Sequence, residues 1–187
     1  MKKKIRNMTP AICALVVISA FAARADEDLQ AESKQAIANF KNADSTLATY
    51  FANSAGYAVF PSVGKGGFIV GGARGKGIVY DKTGKVLGQA TMTQANIGAQ
   101  AGGQTFSQLI IFQTPDALNN FKSGKFALGA DVSAVAAAEG ASKTAKFREG
   151  VAVFALPIKG LMVQATVGGQ KFSFEPAPIE PTGRTEH

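Results

Sequence analysis

One histidine and one cysteine are all that 187 residues hold of those two types, and neither stands where a catalytic group could be positioned. His187 is the last residue, at the end of a polar tail. A Ser-His-Asp or Cys-His centre needs an imidazole oriented by its neighbours. Cys13 lies inside an N-terminal apolar run. Zinc sites draw on Cys and His at close spacing, so no metal site is expected, and a lone cysteine offers no internal disulfide. The acids Asp81, Asp116, Asp131, Glu139 and Glu149 are scattered. Asp81 reads as turn chemistry and Asp116 as a helix start. The expectation is a protein that is not an enzyme and carries no cofactor.

Long hydrophobic runs are missing as well. Ala11 to Ala23 is apolar apart from Ser19, shorter than the about 20 residues a membrane-spanning helix needs. Lys2, Lys3, Lys4 and Arg6 precede the run, and Ala23-Arg24-Ala25 then Asp26-Glu27-Asp28 follow it. A basic start, a short apolar stretch and an A-x-A site make a secretory signal. Residues 1–25 are therefore expected to be removed, and the protein to work in the periplasm or outside the cell, in solution or peripherally on a membrane. Pro10-Ala11-Ile12 before Cys13 is a poor context for lipid attachment, so Cys13 is read as discarded with the signal.

Strong charge of one sign is absent once the signal goes. The chain has 20 Lys+Arg against 13 Asp+Glu. Five of the basic residues precede Asp26, leaving 15 against 13. Nucleic-acid binding would show a strongly basic face, and none is expected. Nucleotide motifs fail too. Gly64-Lys65-Gly66-Gly67-Phe68-Ile69-Val70-Gly71-Gly72 is rich in glycine. Lys76 is followed by Gly77 rather than Ser or Thr, and Ile69 stands where the third glycine of a dinucleotide fingerprint belongs.

What is present reads as α+β. From Asp28 to Asn53 the residues Ile37, Phe40, Leu47, Tyr50 and Phe51 recur at helical spacing, predicting one amphipathic helix. Beyond Gly56, short β-rich runs alternate with turns. Strands are expected at Tyr57–Phe60, ending at Pro61, and at Gly67–Ala73 and Gly77–Tyr80 around a turn at Arg74-Gly75-Lys76. Asp81-Lys82-Thr83-Gly84 makes a second turn. Val86–Gln100 and Gln104–Gln113 follow, the latter with Phe106, Ile110 and Phe112 on one face. Thr114-Pro115-Asp116 starts a short helix through Phe121. Phe126–Ala138 reads as β-like, Ser142–Glu149 as a charged loop, and Val151–Leu156 with Leu161–Val167 as a hairpin around Pro157-Ile158-Lys159-Gly160. Phe172 and Phe174 mark a last strand, and 176–187 is a Pro-rich tail expected to be disordered. Gly71, Gly72, Gly98, Gly102 and Gly129 suggest sharp bends. The expected fold is an N-terminal amphipathic helix packed on a strongly curved, barrel-like antiparallel β-sheet with one short additional helix, a single domain over 26–175.

Two features are candidate binding elements. A hairpin of Gly67–Ala73 with Gly77–Tyr80 would bring Lys65 beside Lys82 and Lys85 as a basic rim suited to anionic head groups. The stripe with Ile37 and Phe40 could anchor in a membrane or pack on the core.

At Gly56, Phe60-Pro61, Lys65, Gly67-Phe68, Gly71-Gly72, Gly75 and Gly77 the sequence resembles the SYLF domain, a lipid-binding module. The resemblance resumes at Ile97-Gly98-Ala99-Gln100, at Lys125-Phe126-Ala127-Leu128-Gly129-Ala130-Asp131 and at Lys159-Gly160-Leu161. It implies binding to membrane phospholipid through an N-terminal amphipathic helix and basic residues. The actin association of some fungal members is not expected to transfer to an exported protein. A Gly-Pro pair of the family is replaced by Glu139-Gly140. The expected function is thus a non-enzymatic envelope protein that binds anionic phospholipid. The alternative is a structural or stress-related interaction module of the envelope with no lipid ligand.

Overall fold

The computed structural model describes residues 10–65, 72–95, 105–124, 126–129, 133–159, 165–166 and 169–178. Helix α1 runs Pro10–Ala43 and helix α2 Leu47–Ala52. Strands β1 (Gly56–Lys65), β2 (Gly72–Asp81), β3 (Val86–Ala95) and β4 (Thr105–Phe112) follow, then α3 (Pro115–Lys122). Strand β5 (Ser133–Ala136), a 3₁₀ turn (Ala141–Thr144), β6 (Val151–Lys159), β7 (Ala165–Thr166) and β8 (Gln170–Pro176) complete the order. The class is α+β, as the sequence predicts.

The single helix expected over Asp28–Asn53 is two. The Asp44 carboxylate accepts from the backbone N–H of Thr46 at 3.0 Å and from the Thr46 hydroxyl. A short polar side chain that captures local N–H groups competes with the helical ladder, and the chain turns before α2. Around this corner Phe40 and Leu47 are fully buried, and Phe51 nearly so.

The eight strands lie in the order β7-β5-β6-β4-β1-β2-β3-β8. Period-two alternation gives the sheet two apolar faces. Phe60, Ala73, Val79, Met92, Phe106, Ile110, Phe112 and Phe172 line the inner face, where α3 adds Leu118 and Phe121. Val59, Ile78, Tyr80, Leu109, Ile111 and Phe154 form the outer face, covered by Ala36, Phe40, Leu47 and Phe51 of the helices. The shared face of Phe106, Ile110 and Phe112 is as predicted.

The sheet curls strongly but does not close. Gln108 on β4 and Gln170 on β8 hydrogen-bond at 2.8 Å. Four strand steps separate them, about 19 Å in a flat sheet. Among the described residues no ladder joins β7 to β8, so the sheet is strongly curved as expected but open, without the closure that a barrel-like form implies. Nor is it wholly antiparallel, because β5 runs parallel to β6.

Several boundaries differ from expectation for local reasons. β1 does not stop at Pro61. Phe60 and Pro61 together oppose Gly77, a bulge between Val59↔Ile78 and Ser62↔Lys76. A bulge is where a strand tolerates a proline that has no N–H to give. Arg74-Gly75-Lys76 is not a turn but the middle of β2. Gly77 is required there by packing, since a Cβ would lie 2.4 Å from the Val59 carbonyl and 2.7 Å from the Phe60 ring. Where a hairpin turn is expected at Pro157–Gly160, Pro157–Lys159 continue β6, and the described part of the expected second strand, Ala165–Thr166, pairs with β5; residues 160–164 and 167 lie outside the described residues. Among the described residues of the stretch 126–138, Ser133–Ala136 is a strand and Ala127 makes one bridge to Lys171.

The short helix α3 behaves as predicted. The Thr114 hydroxyl accepts from Ala117 N–H at 3.2 Å, and Pro115 opens the first turn. Gly71, Gly98 and Gly102, singled out for bends, lie outside the described residues, as does the tail from 179.

Candidate functional site

The turn between β2 and β3 is built by one carboxylate. Asp81 Oδ1 accepts from Thr83 N–H at 2.7 Å, from the Thr83 hydroxyl at 2.6 Å and from Lys85 N–H at 3.0 Å. Burial works against its charge, but these bonds outweigh it and hold the carboxyl below the usual range. Gly84 supplies the left-handed conformation at φ 86°. Lys82 and Lys85 are thereby held outward and exposed. Beside Lys82 opens a cleft of ≈ 460 Å³ whose lining mixes polar Asn53, Asp81 and Asn119 with apolar Ala55, Pro115 and Leu118.

Lys65 is not part of this rim. It pairs with Ala73, while Gly56 pairs with Asp81. The eight-residue offset along β2 puts Lys65 about 27 Å from the Lys82–Lys85 turn. The expected rim rested on a turn at residues 74–76. With those residues in mid-strand, the chain ends of the hairpin fall at opposite poles.

Ile37 and Phe40 are not a free membrane-anchoring stripe either. Phe40 is fully buried in the outer core, and Ile37 packs against the same cluster half-buried. Among the described residues no helix is long and apolar enough to cross a membrane. Lys41 extends this coverage, with its Nζ 4.8 Å from the centre of the Phe51 ring.

Basic residues collect instead on the uncovered part of the outer sheet face. Register places Arg74, Thr93 and Lys171 side by side on β2, β3 and β8. The next row toward the centre is Lys76, Thr91 and Ser173. Arg74, Lys76, Lys171, Thr93 and Ser173 are exposed. All point away from the inner core because their neighbours Ala73, Met92 and Phe172 point into it. Sequence reading missed this grouping. Its signal was the alternation of cations and threonines at period two in 74–76 and 91–93, hidden by the assignment of 74–76 to a turn. A cleft of ≈ 350 Å³ between α1 and the sheet borders the patch. Asp26, Asp28, Glu32, Lys76 and Gln89 line it, and Gln89 donates to Asp26 at 2.7 Å.

Two acids, Asp44 and Glu139, tie the helix corner to the segment around residue 140. Asp44, almost fully buried, receives Gly140 N–H at 3.2 Å and Ser142 N–H at 2.7 Å in addition to Thr46. Burial would raise its pKa, but the bonds from Thr46 and Ser142 prevail and lower it to about 2. Glu139 accepts from the Ser45 hydroxyl at 2.8 Å and from Ser45 N–H at 3.3 Å. Tyr50 donates to the Ser142 carbonyl at 2.6 Å. Glu139-Gly140 thus fastens the helix corner. Asp131 lies outside the described residues. Among the described residues no group of three or more His, Cys, Asp or Glu could hold a metal ion.

Buried tyrosines lie beneath α1. Tyr57 stacks on Tyr80 with centroids 5.1 Å apart. Burial and the neighbouring Tyr57 push the Tyr80 hydroxyl up to about 12, with Ser33 pulling weakly the other way. Ser33 and Tyr80 are close enough to interact, yet neither buried hydroxyl has a hydrogen bond of good geometry.

Residues 93–177 match the family model described as Ysc84, Las17-binding protein actin regulator. The match contains the motifs at 97–100, 125–131 and 159–161 and leaves Gly56–Gly77 outside it. Beta cell expansion factor A of Aeromonas veronii is 32% identical over 123 residues, 65% of this chain and 46% of that protein. The chain therefore spans less than half the length of that curated relative.

Proposed function

We propose, from the SYLF-family (Ysc84) match that this chain carries over residues 93–177, that it is an exported, non-enzymatic envelope protein that binds anionic phospholipid peripherally. Lipid binding is general to the family. The observation that carries the reading here is the separation of charge from apolar surface. Cations stand exposed on the outer face of the sheet, while the stripe of α1 is taken up by the core. A surface of that kind meets a membrane by charge and not by insertion. Actin is not a proposed partner, because an exported protein does not meet it.

The test is co-sedimentation with vesicles of phosphatidylglycerol in phosphatidylcholine, against phosphatidylcholine alone, using protein from the envelope fraction whose intact mass has been measured. Binding should need the anionic lipid and fade as the screening length falls from about 10 Å at 0.1 M salt to about 3 Å at 1 M. The mass should correspond to a chain beginning at Asp26 with no acyl group. Absence of binding to either vesicle at low salt would leave the interaction-module reading in its place.

A further inference from the structure

We infer that the docking surface for anionic phospholipid is the open outer face of β2, β3 and β8, with Arg74, Lys76 and Lys171 as the head-group contacts. The inference rests on the lipid reading above and gives that reading a place on the molecule.

Three observations favour this face. First, the cations are close together. Arg74 and Lys171 flank Thr93 in one row of paired residues, about 10 Å apart across two strand spacings. Arg74 and Lys76 are about 7 Å apart along β2. Second, the space between them is neutral and polar. Thr91, Thr93, Ser173 and Ser62 fill the paired positions, adding hydroxyl donors without an opposing charge. The acids nearest in the sheet register come a row later, where Gln89 pairs with Glu175. Asp26, Asp28 and Glu32 of α1 border only the Lys76 side, at the smaller cleft. Third, among the described residues none of the three cations is held in an ion pair. Arg74 can present its planar fork to a phosphate through two parallel bonds, which a lysine cannot do.

The occupant follows from shape and charge together. The face is an open strand surface with no large apolar side chain in its two rows, so it suits a broad plane of phosphates and not a greasy partner. The chain beyond the signal is nearly neutral overall, which disfavours a polyanion bound over the whole molecule. The Lys82–Lys85 turn offers only two cations around Asp81 on a narrow tip at the other pole.

The experiment compares three proteins on vesicles of phosphatidylglycerol in phosphatidylcholine at about 0.1 M salt. They are the wild type, Arg74→Glu/Lys76→Glu/Lys171→Glu, and Lys82→Gln/Lys85→Gln. All three substituted sheet residues are exposed, and unchanged thermal unfolding confirms the fold. At about 1 kcal/mol per cation at an anionic surface, the sheet-face triple should lose about a hundredfold in affinity or more, while the turn pair stays within about threefold. Arg74→Lys alone should lose less than Arg74→Glu. Equal binding by the triple and the wild type overturns the placement and leaves the lipid reading standing. A wild type that ignores these vesicles overturns both. Full displacement from the vesicles by short duplex DNA at equal charge would also overturn it, by showing a site for polyanions in general.

Discussion

Asp44 accepts the backbone N–H of Ser142 at 2.7 Å across 98 residues of sequence. This bond, with those from Thr46 and Gly140, fixes the helix corner to the 3₁₀ turn before β6.

That arrangement sets the response to acid. The folded-state pKa of Asp44 is lowered from 3.8 to about 2. A depressed carboxylate stabilises the fold fully above its unfolded value, and the contribution is lost as pH falls through the window from 3.8 toward 2. Asp44→Asn should lower stability at neutral pH by about 2 kcal/mol, since it keeps the size but loses charge-assisted acceptors. It should also flatten the acid limb of the stability profile between pH 4 and pH 2. Urea midpoints measured across that range check both effects, and an unaltered acid limb would assign acid sensitivity to another group.

Phe40 is a test of helix packing and not of membrane contact. Phe40→Ala empties a fully buried site and should cost about 3–5 kcal/mol. The loss should be the same with and without anionic vesicles in thermal unfolding. A variant that stays as stable as the wild type but releases vesicles would return the stripe to the membrane.

Gln108 and Gln170 form a reciprocal amide pair. Each side-chain N–H donates to the other's oxygen, at 2.8 and 2.9 Å, and Gln170 also reaches Gln94 at 3.3 Å. Replacing Gln108 alone by Leu leaves a buried amide without this partner, at a cost of about 2 kcal/mol. Replacing Gln108 and Gln170 together by Leu should cost less than the sum of the two single changes. Strict additivity in a double-mutant cycle would show that the pair does not act as a unit.

The sequence made some of this legible and hid the rest. Local chemistry was readable: Thr114-Pro115-Asp116 starts α3, Asp81 folds the β2–β3 turn, and β4 alternates as its side chains require. Errors came where a local signal met a tertiary use. Gly75 and Gly77 look like turn residues, but they are small because Val63 and Phe60 lie against them. Pro61 looks like a strand end, but a bulge absorbs it. Asp44 looks like one more polar helix residue, and its partners lie near residue 140. The basic rim failed for the same reason as the turn at 74–76. A register error of this kind moves a whole set of side chains to the opposite pole of a hairpin. The pairing of β3 with β8 has no local signature at all.

Strand β8 has a further bearing on how the molecule is made. A chain grows from its N-terminus, so β1 to β4 and β6 exist before Gln170 does. Until β8 arrives, Gln108 lacks the Gln170 amide of its reciprocal pair, and Phe60 and Phe121 lack the Phe172 ring that lies 5.7 and 5.2 Å from theirs. The nascent sheet is then a trough, apolar inside and open along β3. Closing it needs a contact 76 residues apart in sequence, and contacts of such long range form slowly. During that interval the bare edge of β3 is the place where two unfinished chains would pair with each other.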